Sequence, residues 1–242
     1  MDDGAATFED SVAIARAAAE DGVSVLAATP HVRDDFPTDA STMERLLRET
    51  REAVEAAGIG IELVPGGEIA IGMLDELGDG DLRRFGLGGN PRWLLVEFPY
   101  HGWPLALRQI VFDLRARGFV PLLAHPERNS EVQADPQRLE GLVQGGAYVQ
   151  LTAASMDGRL GRRTQSTARK LLELGLAHVL ASDAHTPAIR AAGMRAACEA
   201  VGDGGLARWL SESVPAAILA DEPLPERPRL LSSRRSRLPW KR

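Results

Sequence analysis

The chain has 242 residues, one cysteine, a formal net charge of −6 and a hydrophobic fraction of 44%. These values are typical of a globular protein with one domain or two small ones. They exclude an intrachain disulfide, and the overall charge does not favour nucleic acid as a partner. No apolar run is long enough for a membrane span and no signal peptide opens the sequence, so we expect a cytoplasmic protein.

Strands and helices are predicted in alternation along the chain. The first helix opens at Thr7 with a capping box that Asp10 completes, and it runs to about Asp21. Further helices are predicted over 41–57, 104–117, 135–144, 164–174 and 187–201. Strands are predicted over 23–28, 61–64, 93–96, 120–124, 147–151 and 178–181. This alternation predicts an α/β fold with a parallel sheet, either a β/α barrel or a doubly wound open sheet.

Residues of the types that bind metals follow several of these strands. They are His31, Glu68, Glu97, His125, Asp183 and His185. Because the carboxyl ends of parallel strands meet at one edge, we expect these side chains to converge there. Oxygen and imidazole ligands without thiolate suit manganese, iron(II) or zinc, and clustered ions of this kind can hold a phosphoryl group and activate water. Taken singly, each residue also has an ordinary interpretation, such as a helix cap at Asp183.

The segment His125-Pro126-Glu127-Arg128 is the sharpest local signal. Proline ends the preceding strand, so we expect the segment to expose an imidazole, a carboxylate and a guanidinium. Arg128 is suited to a bidentate contact with phosphate. The alternative is a surface loop of salt bridges.

Two other histidines are not expected to bind metal. His178 lies at the beginning of a strand, which is the wrong end, and we interpret it as structural. His101 is interpreted as a loop or rim residue.

Other phosphate and hydrolase chemistries lack their motifs here. The sequence contains neither a Gly-x4-Gly-Lys-Ser/Thr loop nor a Gly-x-Ser-x-Gly elbow. The position six residues after Cys198 is Gly204 rather than the arginine that a cysteine-dependent phosphatase needs.

Several segments together resemble one family. They are Asp2-Asp3-Gly4, Ala-Thr-Pro-His31, Gly-Gly-Glu68, Val-Glu97-Phe-Pro, His125-Pro-Glu-Arg128 and Ser-Asp183-Ala-His185. Over about residues 2–220 the chain resembles the bacterial manganese-dependent protein-tyrosine phosphatases of capsular polysaccharide loci (CpsB/CapC type), which belong to the PHP superfamily. The resemblance implies a distorted (β/α)7 barrel with three metals at its mouth. It also implies a phosphoric monoester hydrolase that dephosphorylates the tyrosine-rich tail of a membrane-associated bacterial tyrosine kinase and so regulates exopolysaccharide and capsule synthesis.

The resemblance also implies roles for individual residues. The six residues that follow the strands match metal-ligand positions, with Mn2+ as the expected ion and Fe2+ or Zn2+ as alternatives. Arg128 matches a residue beside the phosphate. Asp3, with Asp2, matches an acidic pair near the metals, and we assign Arg128 and Asp3 as catalytic.

The chain departs from the family pattern at its start. Family members begin with a strand that carries Asp-x-His-x-His, whose two histidines bind metal, and this sequence has no such segment. We favour a misassigned start codon. A true truncation and a non-catalytic relative that binds kinase tails remain open, as does a PHP phosphatase for a small phosphomonoester.

The composition changes near residue 220. We expect a phosphatase domain over 1–220 and a disordered, proline- and arginine-rich tail over 221–242. The tail is either a contact for anionic lipid or an acidic partner, or a solvated extension without a function of its own.

Overall fold

The computed structural model of the chain describes residues 3–186 and 193–229. The strands are β1 Val25–Ala28, β2 His31–Arg33, β3 Phe36–Pro37, β4 Glu62–Pro65, β5 Glu68–Ala70, β6 Trp93–Glu97, β7 Val120–Ala124, β8 Tyr148–Thr152 and β9 Val179–Ala181. The α-helices are α1 Phe8–Glu20, α2 Ala40–Ala56, α3 Asp79–Arg84, α4 Leu107–Ala116, α5 Ser130–Ala134, α6 Glu140–Gln144, α7 Ala153–Met156, α8 Arg162–Glu173, α9 Met194–Val201, α10 Gly204–Arg208 and α11 Val214–Leu219. The predicted alternation and the α/β class are confirmed.

The strands form two sheets. The larger has the order β3-β2-β5-β6-β7-β8-β9, and the smaller pairs β1 with β4. Every pairing is parallel except the short antiparallel contact between β2 and β3. The carboxyl ends of the parallel strands therefore share one edge.

Two of the predicted strands end as expected, and each is followed, after a break of two residues, by a second short strand. Thr29 and Pro30 separate β1 from β2, and Gly66 and Gly67 separate β4 from β5. Proline has no N–H for the ladder. At Gly67 a Cβ atom would lie 2.6 Å from Cδ1 of Phe85, so the ring leaves room for glycine alone. The breaks start a second strand segment directly at His31 and at Glu68.

The larger sheet is strongly curved. A flat sheet would separate β2 from β9 by five strand spacings, or about 24 Å. Instead, the rings of His31 on β2 and His185 after β9 have centroids 6.0 Å apart. The sheet therefore bends far enough to bring residues from its two sides to one point.

The helices confirm one local prediction and correct another. The Thr7 hydroxyl accepts from the backbone N–H of Asp10, whose carboxylate accepts from the N–H of Thr7, as the capping box predicts. The single helix predicted over 135–144 is wrong. Pro136 begins a 3-10 turn, which Asp135 caps, and this turn separates α5 from α6. The predicted helix over 187–201 is described only as α9, because residues 187–192 lie outside the described part of the chain.

The apolar core has two parts. The main cluster lies between the larger sheet and the helices over it, with Phe85, Leu94, Leu122 and Leu171 among its buried members. A smaller cluster joins α1 and α2 to β4. Among the described helices, none is both long enough and apolar enough to cross a bilayer.

The predicted tail begins with a segment that packs on the domain. Leu224 contacts the main core, and the indole N–H of Trp209 donates to the carbonyl of Pro225 at 2.9 Å. The half-buried Arg227 donates to the carbonyl of Leu172 at 2.7 Å. Disorder from residue 221 onwards is therefore wrong for 221–229, because these contacts hold the segment. The remainder, 230–242, lies outside the described residues, and the domain division stays a prediction.

Gly88, which lies between α3 and β6, gives a prediction about the free energy of unfolding. Gly88 has a φ of +65°, and a Cβ there would overlap the side chain of Leu219 on α11. We expect Gly88→Ala to lower the free energy of unfolding by about 2–4 kcal/mol, from backbone strain plus overpacking. Gly58→Ala is the matched control, since its φ is +67° but an added Cβ meets no described atom within 4 Å. Urea unfolding of both variants measures the difference, and equal losses would show that the overlap with Leu219 carries no weight.

His178 gives a pH prediction. Burial, reinforced by the positive charge of Arg227, lowers the pKa of His178 to about 4, and its Nδ1 accepts from the backbone N–H of Val149. The ordinary pKa in the unfolded chain is about 6.5, so acidification protonates the unfolded chain first. We expect this residue to remove about 3 kcal/mol of stability between pH 6.5 and pH 4. Chemical unfolding at several pH values measures this. We expect His178→Gln to weaken the dependence of the free energy of unfolding on pH, and His101→Gln to leave it unchanged. An unchanged pH dependence in the His178 variant would contradict the assignment.

Candidate functional site

The six predicted metal ligands lie close together, although only four of them are at or after the carboxyl end of a strand. His31 and Glu68 are the first residues of β2 and β5, Glu97 is the last of β6, and His125 follows β7 directly. Asp183 and His185 follow β9. His31, Glu68, Glu97 and His125 are each at most 9% exposed. The strands thus converge as the sequence predicts, while the assignment of each residue as a ligand stays a prediction.

Two overlapping groups of side chains have the spacing that a metal site needs. Asp3, His31 and His185 form one group, and His31, Glu68 and Glu97 form the other. Within each group, the possible ligand atoms all lie within 4.8 Å of one another. His31 belongs to both groups, so the two candidate positions are adjacent.

His125 joins this arrangement through Glu68. Its Nε2 lies 2.9 Å from Oε1 of Glu68, and both side chains are almost fully buried. Burial by itself lowers the pKa of His125, but the hydrogen bond and the charge of Glu68 outweigh it and raise that pKa. Burial likewise opposes ionisation of Glu68, but His125 and the other nearby histidines hold the pKa of the carboxyl below its usual value. Each of the two side chains therefore favours the charged form of the other.

Arg33, which the sequence did not single out, is the partner of Glu97. Its Nη1 donates to Oε1 of Glu97 at 3.0 Å, while its Nε and Nη2 donate to the two carboxylate oxygens of Asp35 at 2.6 and 2.8 Å. The hydrogen bond to Asp35 raises the pKa of Arg33. The position of Arg33, two residues after His31 on the same strand, is the signal that could have identified it.

Arg128 lies at the site in a fixed position. Its Nη1 donates to Oδ2 of Asp183 at 3.0 Å, and its guanidinium lies 4.6 Å from the ring centroid of Tyr100. The same ring stacks on the imidazole of His125 at 5.6 Å. Tyr100 therefore orders both side chains, a role that the sequence did not reveal.

Two site residues have left-handed backbone conformations. His125 has a φ of +39° and Asp183 a φ of +50°. Non-glycine residues adopt such values uncommonly and cluster at functional sites when they do. In both cases the chain turns sharply at the end of a strand, which directs the side chain to the edge of the sheet.

Glu127 corrects an expectation about the His125–Arg128 segment. Its carboxylate is fully buried, not exposed. Oε1 accepts from the backbone N–H of Thr152 at 2.9 Å and from the hydroxyl of Ser155 at 2.6 Å. Burial raises the pKa of this carboxyl even though the two hydrogen bonds oppose the change. Glu127 therefore ties the turn after β7 to the end of β8.

Asn129 fixes the next part of the site. Its side-chain amide donates to the carbonyls of Pro99 and Gly102, at 2.7 and 2.9 Å. Its side-chain oxygen accepts from the backbone N–H groups of Glu131 and Val132 in the first turn of α5. This one buried side chain holds the loop that carries Tyr100 against the helix after Arg128.

The sequence analysis also considered two aspartates near the start of the chain and two further histidines. Asp3 lies at the rim, with Oδ1 at 3.3 Å from Nε2 of His31 and at 3.3 Å from Nε2 of His185. Asp2 lies outside the described residues. His101 is exposed in the loop after β6, and His178 lies at the opposite end of β9, as expected.

The donor set fits divalent ions that prefer oxygen and imidazole ligands. Within residues 3–186 and 193–229, Nδ1 of His125 is buried without a hydrogen-bond partner. A buried imidazole with one unmatched nitrogen is costly unless a ligand or a metal completes it. Three carboxylates and three imidazoles at one edge, with an arginine beside them, can bind cations together with a phosphate group.

Comparison with known proteins agrees with this geometry. Residues 1–214 match the model of the family described as "Capsular polysaccharide synthesis, CpsB/CapC". The chain is 33% identical over 187 residues to the tyrosine-protein phosphatase YwqE of Bacillus subtilis, covering 76% of this chain and 73% of YwqE. It is 26% identical over 191 residues to the tyrosine-protein phosphatase CpsB of Streptococcus pneumoniae, covering 76% and 78% of the two chains.

A solved structure shares the fold. It belongs to the crystal structures of YwqE from Bacillus subtilis and CpsB from Streptococcus pneumoniae, which are described as "unique metal-dependent tyrosine phosphatases". The TM-score is 0.85, with 29% identity and 95% of each chain covered. With the match over residues 1–214, this shows that the chain belongs to the CpsB/CapC family of capsular polysaccharide synthesis.

Proposed function

We propose that this protein is a metal-dependent protein-tyrosine phosphatase, a phosphoric monoester hydrolase. The observation that carries the proposal is the pair of overlapping donor groups that share His31 and lie at the same strand ends as Arg128. The names of the relatives, which are tyrosine-protein phosphatases, support the same reaction.

The proposed metal ligands are the six residues of the strand ends. They are His31, Glu68, Glu97, His125, Asp183 and His185. The mixture of carboxylates and imidazoles supports Mn2+ as the ion, with Fe2+ or Zn2+ as alternatives. Bound ions would supply Lewis-acid stabilisation of the phosphoryl oxygens and lower the pKa of water.

The side chains around the donors position the substrate. Arg128 presents its guanidinium to the phosphoryl oxygens, and the contacts with Asp183 and Tyr100 hold it in place before the substrate arrives. Asp3 is half exposed at the rim, and its Oδ1 lies 3.3 Å from Nε2 of both His31 and His185, so we assign it a catalytic role beside the ions, where it would complete the donor group that it forms with these two imidazoles.

The proposed substrate is a phosphotyrosine tail of a membrane-associated bacterial tyrosine kinase. The family match to capsular polysaccharide synthesis supports a role in regulating capsule or exopolysaccharide production. A substrate of this kind is presented in the cytoplasm, which is the location we propose for this protein.

Hydrolysis of a phosphotyrosine peptide tests the proposed reaction. We expect Mn2+ to stimulate hydrolysis and His125→Ala to lower it by at least about 100-fold, since loss of a ligand costs no less than loss of an outer-shell group. His101→Ala is the matched control, because this histidine lies exposed in a loop, and we expect it to retain activity. Binding of the peptide without hydrolysis under all metal conditions would contradict the proposal and favour a non-catalytic relative.

We propose further that the domain is a distorted (β/α)7 barrel whose first strand carries Asp-x-His-x-His. The strong curvature of the larger sheet supports a barrel, as does the 6.0 Å separation between the rings of His31 and His185. In the described residues β1 pairs only with β4 and β9 only with β8, so each has an edge without a paired strand, which supports a further strand between them.

The DNA directly upstream of the Met1 codon tests this architecture. We expect an in-frame segment that encodes a short apolar strand with Asp-x-His-x-His, because its two histidines would complete the metal set. An in-frame stop codon between Met1 and any such segment would contradict the proposal.

A further inference from the structure

A surface groove of about 370 Å³ lies between α5 and α8. Gln133 on α5 and Pro136 after it form one wall, and α8 forms the other. The charged residues that line the groove are Arg162, Arg169, Lys170 and Glu173. The lining is therefore positive, although the chain as a whole has a net charge of −6.

The cations of the groove are available to a ligand. Arg162, Arg169 and Lys170 are all exposed. Nζ of Lys170 lies 3.3 Å from Oε2 of Glu173, at the end of α8. Across residues 3–186 and 193–229, no carboxylate lies within 4.0 Å of the guanidinium of Arg162 or of Arg169. Two positive charges are thus left without compensation in the described part of the chain, and they attract anions to the groove.

The groove begins beside the turn that carries Arg128. Nε2 of Gln133 donates to the carbonyl of Glu127, the residue before Arg128, at 3.0 Å. The same nitrogen donates to the hydroxyl of Thr164, in the first turn of α8, at 3.4 Å. One side chain of the groove wall thus joins the turn after β7 to the start of α8. The groove therefore opens close to the candidate site.

The direction of α8 carries the cations away from that site. This helix lies between the parallel strands β8 and β9 in sequence, so it begins at the edge where β8 ends and runs back to the edge where β9 begins. Arg162 is its first residue, and Arg169 and Lys170 lie about 10–12 Å further along the helix axis. An extended peptide covers this distance in about three or four residues. A peptide that extends from Arg128 along α8 would therefore meet positive charge repeatedly.

We propose that the groove between α5 and α8 binds anionic residues of the same peptide whose phosphotyrosine enters the candidate site. This inference rests on the proposed phosphatase reaction and adds to it a preference for acidic sequence around the phosphotyrosine. The anionic groups are carboxylates or further phosphotyrosines, and the guanidinium groups of Arg162 and Arg169 can bind either type through two N–H donors. The groove selects peptides by affinity and takes no part in the chemistry at phosphorus.

Fluorescence anisotropy of the full chain with labelled peptides tests the proposal. Each peptide carries a non-hydrolysable phosphonate analogue of phosphotyrosine, so its binding can be measured in the presence of Mn2+ without turnover. The flanking residues are glutamates in one peptide, further copies of the analogue in a second, and glutamines in a third. We expect at least one of the two anionic peptides to bind about 10-fold more tightly than the glutamine peptide, and added salt to reduce this difference.

The variant R169Q/K170Q should remove most of that difference and leave the Kd of the glutamine peptide unchanged. R45Q/R48Q is the matched control, since it removes two exposed arginines from α2, and we expect it to leave all three Kd values unchanged. Equal Kd values for the three peptides would overturn the proposal, and so would an equal loss in the control variant. Tighter binding of a single-stranded oligonucleotide than of either anionic peptide would assign the groove to nucleic acid instead.

Hydrolysis measurements separate this proposal from the proposed reaction. With hydrolysable phosphotyrosine peptides, we expect R169Q/K170Q to raise KM for the preferred anionic peptide and to leave kcat unchanged. Hydrolysis of p-nitrophenyl phosphate, which has no flanking residues to reach the groove, should also be unchanged. Activity with equal KM values for all peptides would overturn the groove proposal and leave the reaction standing. Absence of activity, with the difference in Kd intact, would overturn the reaction and leave the groove standing as a peptide-binding site.

Discussion

The candidate site depends on pairing charges that the fold removes from water. Glu68 and Glu97 are at most 9% exposed, and an isolated buried carboxylate is very unfavourable. Glu68 is matched by His125, and Glu97 by Arg33. Loss of one partner of a buried pair typically costs about 3–5 kcal/mol, because the other charge remains without compensation. The same pairs therefore hold the strand ends together. A cation that bound here would take over the compensation of the carboxylates, and His125 could bind it only in the deprotonated form.

The parallel topology explains why the sequence was informative about this edge. Each apolar run that ends in His or a carboxylate places that residue at the same side of the sheet, so convergence follows from the alternation of strands and helices. The sequence left a barrel and a doubly wound sheet open, so it did not predict the strand order, in which β5, β6, β7 and β8 are successive neighbours. The breaks at Pro30 and Gly67 were harder to predict, because the sheet resumes beyond them and starts a new segment at a site residue.

The supporting residues were less visible, since their partners are distant in sequence. Glu127 lies in a segment with the residue types of an exposed turn. Its carboxylate nevertheless accepts hydrogen bonds from Thr152 and Ser155, which belong to another strand and helix. Asn129 looks like a helix cap, which it is, but its amide also holds a loop 27 to 30 residues away. Local patterns predict the cap and not the loop, because only the tertiary structure brings Gly102 to it.

The left-handed backbone at His125 and Asp183 has an evolutionary consequence. Each conformation costs on the order of 1 kcal/mol or more for a residue with a Cβ, and glycine would relieve it. Selection for stability alone would therefore favour glycine in place of His125 and Asp183, whose side chains lie at the candidate site. A lineage that lost its substrate would be expected to lose these two residues early, so their presence in a homologue is a sign that the site is still under use.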